Sequence, residues 1–293
     1  MEDLSFELIL WLQQSKGTVV ELFFQFISFL GEAYLYIAIL GVVYWTLNKK
    51  FGEYLATTLG ISLTLNNTIK GLTRLPRPFE SHPDIENLRP ETSSGSSFPS
   101  GHTQGFSAFI FAVAYHLKKR KWWVIAAVLT LFMMFSRMYL GVHYLRDVLV
   151  GAGLGILTAI VHGTLFNRFY NDRKALHRYY LVLVLIFFPF LFILSNNNFF
   201  QGYGIMSGLI VAASLEHSYV GFTLDRPLKV LILRVVIGFI LLVVVLGLLG
   251  ALFALFGFEE GTFGYNILDA LRYFILAIVG FFLYPMAFKR LGY

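Results

Sequence analysis

Cysteine is absent from the 293 residues. Its absence removes disulfides, cysteine metal sites and every cysteine-nucleophile mechanism, and it leaves the redox compartment open. Charge is scarce too. Asp, Glu, Lys and Arg make up 14% of the chain, against about 25% in an average soluble domain. Apolar residues fill 57% and aromatics 17%. A soluble fold of this length would leave too much apolar surface in water, so the composition excludes an ordinary cytosolic enzyme, a disordered chain and a nucleic-acid-binding domain. Acidic residues are the scarcer sign, 17 against 23 basic, for a net charge of +6. In a membrane chain that excess has a place, because Lys and Arg collect at the cytoplasmic ends of spans. Met1-Glu2-Asp3 is acidic where a signal peptide is basic, so no cleavable leader is expected.

A spanning helix needs roughly 20 mostly apolar residues. About nine ranges qualify: 30–47, 53–72, 104–117, 122–140, 147–167, 179–195, 203–221, 230–256 and 267–288. Residues 4–29 carry Trp11, Phe23, Phe24, Phe26 and Phe29 among polar residues, and the pattern predicts amphipathic helices lying in the membrane interface. Alternate turns hold Lys49-Lys50, Lys118 to Lys121, Arg168 to Arg178, Arg226 to Arg234 and Lys289-Arg290, 15 of the 23 basic residues. The positive-inside rule makes these turns cytoplasmic. The N-terminus and residues 73–103 and 136–147 then face outward, and the C-terminus faces the cytoplasm.

Three outward segments carry chemistry-bearing residues. Lys70 and Arg77-Pro78 lie about two helical turns apart at the end of the second span. Alone, they read as snorkelling cations. A Ser/Gly run, Ser93 to Ser97, leads into Pro99-Ser100-Gly101-His102 and then an apolar helix. Helix N-terminal amides favour anions, although a serine cap and a solvated histidine explain the same residues. Ser136-Arg137 ends a span, and His143 and Asp147 follow four residues apart. On a helix those two share a face, which suits a nucleophile with its orienting acid and equally a structural pair. All three segments share one predicted face. Cations and amides fit a phosphate.

Together the three segments read K-x6-R-P, P-S-G-H and S-R-x5-H-x3-D, with all eleven fixed positions present. The pattern resembles the signature of the type 2 phosphatidic acid phosphatase superfamily, to which the vanadium haloperoxidases also belong. The resemblance covers roughly residues 1–168. It implies an all-α integral membrane protein, with a six-helix phosphatase core and about three or four additional C-terminal transmembrane helices in 169–293. Carried over by motif, His143 resembles the nucleophile that forms a phosphohistidine, Asp147 its orienter, and His102 the acid for the leaving oxygen. Lys70, Arg77, Ser100, Gly101 and Arg137 resemble the phosphate-binding groups. No metal and no cofactor are implied. The expected substrate is a lipid phosphate at the outer leaflet of a bacterial plasma membrane. Polyprenyl diphosphate, phosphatidic acid, phosphatidylglycerophosphate and a sphingoid-base phosphate all fit. A phosphotransferase using the same site, a transporter with a vestigial site and a haloperoxidase are the competing readings. Nine spans and outer-leaflet access count against the haloperoxidase.

Residues 169–293 contain Glu216-His217 inside an apolar run. Intramembrane ionisable residues are functional candidates by default; a structural Glu–His pair facing other helices is the favoured expectation. Gly151-x3-Gly155 and Gly204-x3-Gly208 predict close helix packing. Shaping lipid access, forming a homodimer face and carrying transport are the roles open to the extra spans.

Overall fold

The structure is a computed structural model that describes residues 2–15 and 17–291, with the side chains of Glu2, Asp3, Lys289 and Leu291 excepted. Expectations resting on those side chains, on Met1 or on Lys16 lie outside the described residues. Helix is the only regular structure among the residues described. The helices are α1 (Glu2–Gln14), α2 (Thr18–Phe29), α3 (Ala33–Val42), α4 (Lys49–Thr73), α5 (Pro78–Ser81), α6 (Gly101–Leu117) and α7 (Arg120–Tyr139). They continue with α8 (Leu145–Phe169), α9 (Arg173–Phe187), α10 (Asn197–Leu215), α11 (Leu228–Ala254), α12 (Phe263–Ile278) and α13 (Tyr284–Leu291). Three π-helical turns, Val43–Leu47, Glu216–Val220 and Val279–Leu283, extend α3, α10 and α12.

All nine expected spans fall on helices. By length and composition alone, five of them can cross a membrane: Arg120–Tyr139, Leu145–Phe169, Arg173–Leu191, Leu228–Ala254 and Phe263–Phe288. α4 and α6 are weaker candidates for a physical reason. α6 has 17 residues, and α4 carries Thr57, Thr58, Ser62, Thr64, Asn66, Asn67 and Thr68, all buried. Polar side chains are tolerated in a spanning helix when they face protein. For residues 18–29, a second arrangement besides the interfacial one is compatible with length and composition. Thr18–Phe29 and Ala33–Leu47 qualify only as a pair, bent by 52°. Val19, Leu22, Phe23 and Phe26 leave α2 apolar on its outer side. α1 is amphipathic as expected, but its apolar face, Ile9 and Leu12, is buried against Met138, Tyr139 and Leu140 of the protein.

The chain divides into two compact units, residues 1–35 with 65–164, and residues 36–64 with 165–293. In the first unit, α1 and α2 pack on α7, with Phe24 and Tyr139 ring centroids 4.5 Å apart. α6 lies against α8 at Gly151 and Gly155. A Cβ on Gly155 would stand 2.4 Å from the Gln104 carbonyl oxygen, so no larger residue permits this approach.

In the second unit, α10 lies equally close to α12. A Cβ on Gly204 would meet the Ala270 carbonyl at 2.1 Å and one on Gly208 the Phe274 carbonyl at 2.6 Å. Both glycine patterns thus mark close packing. Glu216 and His217 pair mainly with other helices rather than with each other. Lys49 Nζ lies 2.5 Å from Glu216, and His217 Nε2 lies 2.7 Å from Glu53, which also accepts the Tyr180 hydroxyl at 3.0 Å. Every member of the cluster has its partner, which suits a structural role. α11 exposes Ile232, Val236, Ile240, Val243 and Leu248, a surface suited to lipid.

Candidate active site

The first unit brings the signature residues together from four helix ends. Lys70 sits on the last turn of α4, and its Nζ donates to the Ser96 carbonyl. Arg77 follows, just before α5, and is 2% exposed. Its guanidinium donates to the carbonyls of Gly95 (3.0 Å), Ser94 (2.8 Å) and Val142 (3.0 Å). One arginine therefore ties the Ser/Gly loop to the turn that carries His143.

Ser100 caps α6. Its Oγ accepts from the Thr103 amide (3.4 Å) and hydroxyl (3.0 Å), so the expected phosphate-binding role falls to its own O–H. The Ser100 amide donates to the Asp147 carbonyl at 3.0 Å. Asn66 of α4 fixes the helix start, donating to Gln104 (2.9 Å) and to the Pro99 carbonyl (3.3 Å). A Cβ on Gly101 would come 3.2 Å from Asn66 Oδ1. His102 lies on the first turn, and its Nε2 is buried without a hydrogen-bond partner.

Arg137 is fully buried near the end of α7. It donates to Ser28 Oγ of α2 and, at 3.4 Å, to Thr92 Oγ1. After α7 the chain reverses at Gly141, which has φ +73°. A Cβ there would also stand 2.2 Å from the Glu86 carbonyl. Only glycine serves a left-handed turn at that approach, and the turn delivers His143 to the head of α8.

His143 Nε2 faces Arg77 Nη1 at 3.4 Å. Its Nδ1 lies 3.6 Å from Asp147 Oδ2 and 3.5 Å from Ser97 Oγ. The expected His143–Asp147 pair is present, but at 3.6 Å it is longer than a hydrogen bond. The reason is local: His143 precedes α8 rather than lying on it. Asp147 Oδ2 accepts instead from Ser97 Oγ (2.5 Å) and from the Tyr144 amide (2.9 Å). Ser97 is thus a third partner of the pair, one that the sequence reading passed over. It is one of five serines in the Ser/Gly run of residues 93–100, and no spacing rule distinguishes it. Burial pushes the His143 pKa well below the ordinary histidine range, and the charges of Arg77, Lys70 and Arg137 push it further. The imidazole is held neutral, with Nε2 towards a cation and Nδ1 towards a carboxylate.

Residues 52–171 match the PAP2 superfamily, and residues 200–293 match the PAP2 superfamily phosphatase transmembrane extension. The bacitracin transport permease protein BcrC of Bacillus licheniformis is 34% identical over 140 residues, 46% of this chain and 67% of that protein. The chain belongs to the PAP2 superfamily. Within it, the undecaprenyl-diphosphatase BcrC of Bacillus subtilis is 36% identical over 42% of this chain and 60% of its own length. Among solved structures, a transmembrane PAP2 type phosphatidylglycerolphosphate phosphatase from Bacillus subtilis shares the fold. Its TM-score is 0.50 at 23% identity, over 57% of this chain and 86% of that one. Relatives of this PAP2 chain are membrane lipid phosphatases. The match over 200–293 extends the family to spans that the motif resemblance left outside it.

Proposed function

We propose that the protein is a metal-independent lipid-phosphate phosphatase whose site faces outward and works through a phosphohistidine on His143. The observation that carries this reading is the two-sided environment of His143, with Nε2 3.4 Å from Arg77 and Nδ1 3.6 Å from Asp147. An attacking nitrogen must be neutral and must face the phosphorus. In the proposed reaction Lys70, Arg77, Arg137, the Ser100 hydroxyl and the first amides of α6 hold the phosphoryl oxygens. Phosphoryl transfer is mostly positioning and charge stabilisation, and these groups supply both. Nε2 attacks phosphorus, the bond to the leaving oxygen breaks, and His102 protonates that oxygen. Asp147 and Ser97 orient the imidazole and offset its developing charge. Water then hydrolyses the phosphohistidine, with His102 taking the proton. The outward face rests on the basic turns, and a lipid substrate on the site's place between spans.

Two results follow. Phosphate release by the purified protein in detergent persists in EDTA; complete, reversible loss on chelation overturns the metal-free mechanism. The second concerns pH. A histidine with a lowered pKa keeps its neutral form as pH falls through the ordinary histidine value of about 6.5. In the bell-shaped profile of kcat/KM, the acid limb belonging to His143 therefore lies below pH 6.5. The profile is checked with a substrate whose phosphate does not titrate in that range. An acid limb centred at 6.5 or above contradicts the neutral nucleophile.

A further inference from the structure

The signature supplies three cations, and the first unit holds a fourth beside them. Arg89 lies in the loop between α5 and α6, outside every motif. The Leu88 amide donates to the Leu140 carbonyl at 3.1 Å, which sets this loop against the end of α7. Arg89 forms an ion pair with Glu32 and donates to Gln25 Oε1. Gln25 in turn donates to the Leu88 carbonyl at 2.6 Å. Gln25, Ser28 and Glu32 follow one another at spacings of three and four along α2 and its C-terminal turn. Ser28 holds Arg137, so this edge of α2 seats both arginines. Gly31, next to Glu32, rests on the His102 ring, where a Cβ would stand 3.1 Å from Cδ2. The positive charge of Arg89 lies within interaction range of both His102 and Arg137.

Three buried nitrogens in this corner lack a hydrogen-bond partner: Arg89 Nε, Arg137 Nε and His102 Nε2. Unmade hydrogen bonds from buried charged donors are costly. Arginine N–H groups left in this state suit anionic oxygens. In-line displacement fixes which oxygens these are. Nε2 of His143 attacks from one side, and the leaving oxygen departs on the opposite side. His102, the acid assigned to that oxygen in the proposed reaction, packs against Gly31, beside Glu32 and its partner Arg89.

We propose that Arg89, seated by Glu32 and Gln25 beside His102, binds the second phosphate of a diphosphate substrate. The proposal rests on the phosphatase reading and narrows it to lipid diphosphates. The bond between the bridging oxygen and the terminal phosphorus breaks while the Nε2–phosphorus bond forms. The electron pair stays on the bridging oxygen, which His102 protonates, and Arg89 neutralises the departing lipid monophosphate. Glu32 orients Arg89 at the cost of placing a negative charge near the same phosphate.

The test uses the full chain in detergent. A polyprenyl diphosphate and the matching polyprenyl monophosphate serve as substrates, and pyrophosphate and orthophosphate as competing ligands. Arg89→Gln is expected to lower kcat/KM for the diphosphate about tenfold more than for the monophosphate, and to weaken pyrophosphate while sparing orthophosphate. Arg89→Lys retains part of the preference. Glu32→Gln keeps an acceptor for Arg89 and removes the charge, so it tightens pyrophosphate. Equal losses on both substrates in folded Arg89→Gln, or Glu32→Gln and Arg89→Gln both weakening pyrophosphate, make the pair structural and overturn the proposal. If the wild-type chain hydrolyses neither of these nor any other lipid phosphate, the phosphatase reading falls. The ratio of pyrophosphate to orthophosphate binding, measured by calorimetry on Arg89→Gln, still decides the role of Arg89.

Discussion

His143→Ala is expected to leave a folded protein whose turnover falls by about 10⁴-fold or more, the scale of removing a catalytic nucleophile. Folding survives because the neighbours of His143 are held by others. Arg77 keeps its three carbonyl acceptors, at Gly95, Ser94 and Val142. Asp147 keeps the Ser97 hydroxyl and the Tyr144 amide. The change therefore removes Nε2 without stranding a charge. The measurement is phosphate release from a panel of lipid phosphates, run beside thermal unfolding. Brief incubation with substrate labelled on phosphorus adds a direct readout, since a phosphohistidine is stable in base and labile in acid. Wild-type turnover in His143→Ala removes the nucleophile assignment. His102→Ala differs in kind: a substrate with a good leaving group needs little protonation and retains some turnover.

The motif residues were legible in sequence because their chemistry demands residue types at fixed spacing. Lys70, Arg77, Ser100, His102, Arg137, His143 and Asp147 all belong to the first unit. What spacing does not carry is the partner brought in by packing. Ser97 hydrogen-bonds Asp147 because the Ser97 amide reaches the Leu75 carbonyl at 2.8 Å and orients that loop. Arg89 lies near His102 because Gln25 and Glu32 of a helix some 60 residues away hold it. In both, a residue of an ordinary-looking loop meets a helix distant in sequence. The spans show the same division. Apolar runs locate helices, but α4 bears its polar residues on a buried face, and sequence alone does not say which face a threonine or asparagine takes. Glu216 and His217 were legible as unusual, whereas Glu53 and Lys49 were not legible as their partners, being more than 150 residues upstream.

Gly155→Ala and Gly153→Ala are expected to behave as opposites although they differ only in position on α8. A Cβ at Gly155 meets the Gln104 carbonyl oxygen at 2.4 Å and the Ala108 amide at 2.9 Å, both backbone atoms. Backbone cannot swing aside as a side-chain tip does, so α6 and α8 must separate. Overpacking of this kind costs about 1–3 kcal/mol. The consequence for chemistry is of the same order as that for stability. α6 carries His102 and is capped by Ser100, while α8 begins two residues after His143 and holds Asp147. The Ser100 amide meets the Asp147 carbonyl at 3.0 Å across this junction. Moving one helix by about 1 Å displaces the acid from the nucleophile, and misplacement on that scale costs about 10²-fold in rate. Gly153 lies on the outer face, where a Cβ meets nothing within 4 Å. Alanine there gains helix propensity and stabilises by about 0.5–1 kcal/mol, with turnover unchanged. Thermal unfolding in detergent and kcat on one lipid phosphate separate the two variants. Equal behaviour shows that the α6–α8 contact does not set the distance between His102 and His143. A loss of kcat in Gly155→Ala that exceeds its loss of stability shows that the glycine is kept for the geometry of the site.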